Sequence, residues 1–174
     1  MNWDQYFFEL CTTVARKSRC LSRQVGCLIV RNNRVVATGY NGPPMGVPHC
    51  GEERFMKDSQ LSTALGFKGI DELNRRDIHT TCPRQLLGYT SGAGLEWCHA
   101  LHAERNAITN AAFLGVETNR CTLYLNNIIP CKDCFGTIIN AGIVEVICLD
   151  MIQYDKTSEY FQKYSSIKIR EFSL

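Results

Sequence analysis

Four residues of this 174-residue chain have types and spacing that could do chemistry together. They are His102 and Glu104, two apart, and Cys131 and Cys134, a Cys-x-x-Cys pair behind Pro130. Singly, each is a weak signal. A Cys-x-x-Cys pair serves as half a structural zinc site, as a redox couple or as buried thiols. A His-x-Glu is as readily a surface histidine beside a carboxylate at a helix start. Jointly they form a specific donor set. One imidazole and two thiolates are three ligands for tetrahedral zinc, with the fourth position left to water. An open position belongs to a catalytic site, because structural sites close with four protein ligands. Zinc lowers the pKa of its water to about 7, so hydroxide is available at neutral pH. Glu104 can face such a site without ligating, and there it would carry the proton from water to the departing group.

Such a set needs rigid elements to hold it. Ala103–Leu114 is rich in alanine and reads as a helix, with apolar groups at Ala107, Ile108, Ala111, Ala112 and Leu114. A second helix runs from about Cys131 to Asn140 and stops at Gly142. Both ligand clusters therefore fall at helix N-termini, where the dipole and free N–H groups favour thiolate and hydroxide. The strands expected between and around these helices are Thr122–Leu125 and Ile143–Leu149. Before them, residues 4–19 carry helical spacing at Tyr6, Phe7, Leu10 and Val14. Val25–Val30 and Arg34–Thr38 form a hairpin over Asn32-Asn33. A short helix at Ser158–Tyr164 and a strand at Ile167–Phe172 finish the chain. The order α-β-β-α-β-α-β-α-β predicts a mixed α/β sheet, parallel in its second half, with an antiparallel hairpin at one edge. Residues 1–174 read as one domain. Residues 43–100 are an elaborated, polar insertion in it, with a short helix near 52–65.

Composition limits the function classes. Apolar content of 45% and charged content of 21% are those of a globular chain. No apolar run reaches the ~18 residues that span a bilayer. Met1-Asn2-Trp3-Asp4 lacks the basic start and apolar stretch of a signal peptide, so a cytoplasmic setting is expected. A net charge of +2 allows phosphate binding but gives no nucleic-acid-coating surface. Ten cysteines in a reducing compartment read as metal ligands and buried thiols. Cys11, Cys27, Cys121 and Cys148 lie in apolar stretches and are assigned to the core.

Beyond the zinc motif, further blocks carry a family likeness. They are Arg23-Gln24-Val25-Gly26-Cys27-Leu28-Ile29-Val30, Gly39-Tyr40-Asn41-Gly42-Pro43, His102 through Ile108, Thr122-Leu123-Tyr124, and Pro130 through Cys134 leading to Asn140-Ala141-Gly142-Ile143. In these the chain resembles the cytidine and deoxycytidylate deaminase superfamily, over residues 12 to 155. The Gly-Tyr-Asn-Gly-Pro loop and the Asn-Ala-Ile after Glu104 point to its deoxycytidylate branch. The resemblance implies a three-layer cytidine-deaminase-like fold, with a mixed five-stranded sheet flanked by helices on both faces. It implies hydrolytic deamination of dCMP to dUMP, a homo-oligomer (a hexamer favoured), and dCTP and dTTP as effectors with Mg²⁺. It makes Asn41, Asn106 and Tyr154 candidates for contact with the nucleotide. Arg23 and Arg105 are phosphate candidates, since guanidinium suits phosphate. The pattern departs at Cys27 and Phe135, where relatives commonly have alanine, and at Asn126–Ile129 before Pro130. These positions border the pocket.

Cys20, Cys50, Cys82 and Cys98 are candidates for a second, structural zinc, with His49, His79 and His99 as substitute ligands. The physical motive is that a long polar loop buries little and a metal would clamp it. The resemblance supports this at Cys20 and Cys50. Other readings stay open. One is deamination of another base or nucleotide: dCTP, cytidine, guanine, a riboflavin precursor, cytosine in single-stranded DNA, or adenosine in tRNA. Another is a zinc-stabilised scaffold without activity, against which an intact Glu104 argues.

Overall fold

The structure is a computed structural model that describes residues 1–66, 75–90 and 92–174. It divides into two compact units. The first comprises Met1–Ser18, Val25–Asn41 and His102–Leu174, the second Arg19–Gln24 and Gly42–Leu101. The insertion expected at 43–100 falls within the second; its residues 67–74 and 91 lie outside the described residues.

The first unit is built on a five-stranded sheet in the order β2-β1-β3-β4-β5. β1 is Gly26–Arg31 and β2 is Arg34–Tyr40. They pair antiparallel across Asn32 and Asn33, both in the left-handed region (φ 51° and 58°), the geometry of a tight hairpin turn. β3, Thr122–Ile128, pairs antiparallel with β1 and parallel with β4, Glu145–Asp150. β5, Lys168–Glu171, adds a second parallel pair. The mixed sheet with one antiparallel hairpin is as expected from the sequence. β3 runs three residues longer than its apolar stretch predicts, because Asn126 and Asn127 continue the extended chain.

Alternation along β3 sends Leu123 and Leu125 to one face and Tyr124 to the other. On Tyr124's face lies α1, Trp3–Ala15, which buries Phe7 and Cys11 against Leu28, Val30 and Ile147. On the opposite face lie α6, Ala103–Phe113, and α7, Lys132–Asn140. They contribute Ala103, Ala107, Ala111, Phe135 and Ile138 to the core. Two glycines allow this closeness. A Cβ on Gly26 would strike the Cys11 carbonyl of α1, and one on Gly39 would strike Ala103 O and Ala107 N of α6. The side chains of Asn106 and Asn110 then staple α6 to β2, each Nδ2 donating at 2.8 Å to Tyr40 O and Thr38 O. α7 ends at Gly142 (φ 73°), in the helix-stop role its sequence position predicts. α8, Lys156–Tyr164, connects β4 to β5.

Among its described residues, the second unit has four short α-helices: α2 (Glu52–Lys57), α3 (Ser59–Ala64), α4 (Arg75–Thr80) and α5 (Pro83–Leu86). Its polar centre is Arg54. The guanidinium donates to Asp58 Oδ2 at 3.2 Å and to His99 Nδ1 at 3.0 Å. His99 Nε2 in turn donates to Pro48 O at 2.6 Å. Burial and the neighbouring Arg54 charge hold His99 below the ordinary imidazole pKa, which suits it to accept from the guanidinium.

Among the described residues, no two cysteines form a disulfide. Cys11, Cys27, Cys121 and Cys148 are fully buried, as their apolar surroundings predict, and burial pushes all four thiols up. Among the described residues, no helix is long and apolar enough to cross a membrane.

Candidate metal centre

His102 and Cys131 occupy equivalent places, the N-cap positions of α6 and α7. Both have the extended backbone of a cap residue (φ −72°, ψ 154° and φ −65°, ψ 164°), and neither side chain caps its own helix. Such a position normally carries Ser, Thr, Asp or Asn, and giving up that cap costs about 1 kcal/mol. Here both side chains point to each other instead. His102 Nδ1 lies 3.4 Å from Cys131 Sγ and 3.3 Å from Cys134 Sγ. All three donor atoms lie within 4.8 Å of one another. Tetrahedral zinc with a nitrogen and a sulfur ligand requires the two donors about 3.5 Å apart, given bonds of about 2.0 and 2.3 Å. The donor set fits that ion.

The electrostatics suit a cation. The two sulfurs compete for one negative charge. Hydrogen bonds from Cys134 and His102 hold the Cys131 thiol well below its ordinary value, against the opposing effect of burial. The same Cys131 neighbour and burial push Cys134 up. The Cys131 hydrogen bond raises His102, outweighing its burial. Glu104 stands in the first turn of α6, only 5% exposed. Desolvation raises its carboxyl above the ordinary value, offset in part by the His102 charge. A carboxyl so raised is better able to accept and return a proton near neutral pH.

Cys131 follows the carboxyl end of β3, where parallel α/β sheets generally place their ligand sites. Pairing with β4 is irregular between Leu125 and Ile128, and the chain then turns through buried Ile129 and Pro130 into α7.

The other candidates separate by unit. Asn41, only 9% exposed, uses Oδ1 to accept from Val25 N at 2.8 Å, which closes the end of the hairpin. Asn106 is engaged by its Nδ2 in the staple to β2 described above. Arg105 is half-buried beside Glu104, and its buried Nε has no hydrogen-bond partner. Its charge reaches His102, Glu104 and Cys134. Tyr154 is 41% exposed in the turn before α8. Arg23 is exposed and belongs to the second unit. Cys20, Cys50, Cys82 and Cys98 also belong to the second unit. Among the described residues, only His102, Cys131 and Cys134 gather as a group of three or more donors. Cys50 is raised chiefly by burial, with Cys82 and Cys20 adding to the effect.

Sequence reasoning did not single out Asp155. Its Oδ1 caps α8 at Ser158 N (2.7 Å) and its Oδ2 accepts from Lys132 N (2.9 Å), the first N–H of α7. The Asp-x-x-Ser spacing signals the first bond. Nothing local signals the second, which joins residues 23 apart.

The comparisons agree with this geometry. Residues 1–150 match the cytidine and deoxycytidylate deaminase zinc-binding region, and the chain belongs to that family. The deoxycytidylate deaminase of Saccharomyces cerevisiae is 36% identical over 172 residues, covering 99% of this chain and 45% of the relative. That of Mycobacterium phage D29 is 30% identical, covering 84% of this chain and 93% of the relative. The chain spans less than half the length of the yeast relatives, that of Schizosaccharomyces pombe included. Among solved structures, the dCMP deaminase of cyanophage S-TIM5, in complex with dCMP and dUMP, has a TM-score of 0.63 at 20% identity. The alignment covers 96% of this chain and 94% of that one, and it establishes the shared fold.

Proposed function

We propose that the chain hydrolyses dCMP to dUMP and ammonia, with zinc held by His102, Cys131 and Cys134 and with Glu104 as the proton carrier. The observation that carries this reading is the buried Glu104 carboxyl beside a three-donor cluster. Zinc, when bound, supplies a nucleophilic water at neutral pH. Glu104 would take a proton from the attacking water as its oxygen bonds to C4, and would pass that proton to N3 of the pyrimidine. It would then move the second proton of the same water, from the new C4 hydroxyl, to the amine as the C4–N bond breaks, which leaves the C4 carbonyl of dUMP and ammonia. Its raised pKa, set by burial, favours holding a proton between these transfers. Water and dCMP enter; dUMP and ammonia leave.

Arg105 is the phosphate contact best supported by the structure, because its buried Nε lacks a partner. Asn41, Asn106 and Tyr154 complete the proposed substrate contacts on the strength of the family likeness. A panel of dCMP, dCTP, cytidine, guanine and RNA tests the substrate. Turnover of dCMP above all others is expected; turnover of another member with dCMP untouched would overturn the assignment.

The second unit adds a structural zinc to the proposal, with Cys50 and its electrostatic neighbours Cys20 and Cys82 as ligands and Cys98 as the fourth. Two zinc ions per chain, falling to one in Cys50→Ser, is the expected metal content. A homo-oligomer, a hexamer by likeness, responding to dCTP and dTTP with Mg²⁺, belongs to the same reading. Sedimentation and dCMP turnover measured with and without each nucleotide check it.

A further inference from the structure

Cys131 does not cap α7, yet the helix start is capped from elsewhere. The Asp155 carboxylate serves two helices at once, through Ser158 N and Lys132 N. Ser158 is fully buried, and its Oγ donates to Pro130 O at 2.6 Å. Pro130 and Lys132 are the two residues that flank Cys131. The first turn of α8 thus grips the chain on both sides of one donor, by two bonds to backbone.

We infer that Asp155 and Ser158 are positioning residues, which hold the Pro130–Lys132 turn so that the Cys131 sulfur meets His102 and Cys134. This rests on the zinc reading above. The physical reason is the use of the N-cap. A residue that caps its helix is fixed by its own side chain, whereas Cys131 has spent its side chain on the donor cluster. Its backbone must be fixed by others. Partners beyond the ligands that orient a metal site are worth about 10–100-fold in metal affinity. α8 is attached by half-buried Phe161, which packs against the core, and by Ser158, its one fully buried residue, which makes the polar grip on Pro130. Tyr154 precedes Asp155, so the same clamp fixes the chain end of a proposed substrate contact.

The test is zinc affinity, read by competition with a chromophoric chelator for the equivalent that Cys131→Ser abolishes. Asp155→Asn keeps one acceptor oxygen and can satisfy only one of the two helix ends. Ser158→Ala leaves the Pro130 carbonyl without its hydroxyl partner. Each is expected to weaken zinc binding about 10-fold or more. The control is Asn2→Ala, which removes a cap of α1 remote in sequence from the donors. It is expected to lower the melting temperature of the zinc-free protein while leaving zinc affinity unchanged. If Asp155→Asn fails to fold, Ser158→Ala decides. Zinc affinity within about twofold of wild type in the folded variants, with only stability lowered, would overturn the inference. Absence of the tight equivalent from the wild-type protein would instead overturn the reading of the metal centre.

Discussion

Two groups of cysteines in this chain invite the same reading, and the fold treats them differently. Cys131 and Cys134 sit at the start of one helix, and His102 at the start of another. The sheet that carries both helices brings their donor atoms within 4.8 Å of one another. Cys20, Cys50, Cys82 and Cys98 sit in the second unit, among short helices and loops, and among the described residues they do not gather as a donor group. Donors anchored on helices packed to a common core inherit their positions from that core. Donors on loops must have their ordering supplied by the metal itself.

That contrast predicts two zinc affinities. Cys131→Ser and Cys134→Ser should each lose the tight equivalent and essentially all turnover, the largest effect expected here. Cys50→Ser should keep the tight equivalent and lose only the weaker one, as metal analysis after graded chelation would show. Loss of both equivalents in Cys50→Ser would erase the distinction between the two groups.

A smaller effect tests whether the core does the positioning. Gly39→Ala places a methyl group against the backbone of α6, whose N-cap is His102. Overpacking of this kind costs about 1–3 kcal/mol, measurable by urea unfolding. Because α6 must shift, turnover should fall beyond what stability explains. Unchanged kinetics would mean that the helix tolerates displacement and that packing does not set the site.

The smallest effect sharpens the same point from outside the site. Asp4 joins α1 to β5 through Arg170, at 2.6 and 3.1 Å, and also accepts from Ser173 N at 2.8 Å. The Arg170 hydrogen bond holds its carboxyl below the ordinary value, against the opposing effect of burial. Arg170 is 44% exposed, so solvent screening reduces the gain to about 1 kcal/mol. The sign follows from the depressed native pKa. The stabilisation is complete above the unfolded value of about 3.9 and is lost as pH falls through the native one. Asp4→Asn should therefore unfold earlier in urea at pH 7, converge with wild type at acid pH, and keep its zinc. A zinc deficit would show that the donors depend on the whole fold rather than on their own helices.

The legibility of the chain in its sequence follows the same division. Helices α6 and α7 were predictable because alanine-rich and apolar spacing, a starting proline and a stopping glycine all act locally. The hairpin was legible in Asn32-Asn33 for the same reason. The donor set was legible because its spacing is short and its chemistry is confined to few residue types. What was not legible depends on residues far apart in sequence. Asp155 reaching Lys132 and Ser158 reaching Pro130 are consequences of how α8 lands beside α7. The structural use of the Asn106 amide, toward Tyr40 O, depends likewise on β2 lying under α6. Gly39 drew notice as part of a loop motif, while its physical necessity is the approach of that helix.

The proposed role of Glu104 is to move protons for a reaction at the His102, Cys131 and Cys134 centre. It is tested most directly by following dUMP and ammonia formed from dCMP by wild type and Glu104→Gln at matched zinc content. Wild type is expected to give equimolar dUMP and ammonia, and the variant to lose about 10²–10⁴-fold in rate with zinc retained. Wild-type rates in zinc-replete Glu104→Gln, or no dUMP from zinc-replete wild type, would contradict it.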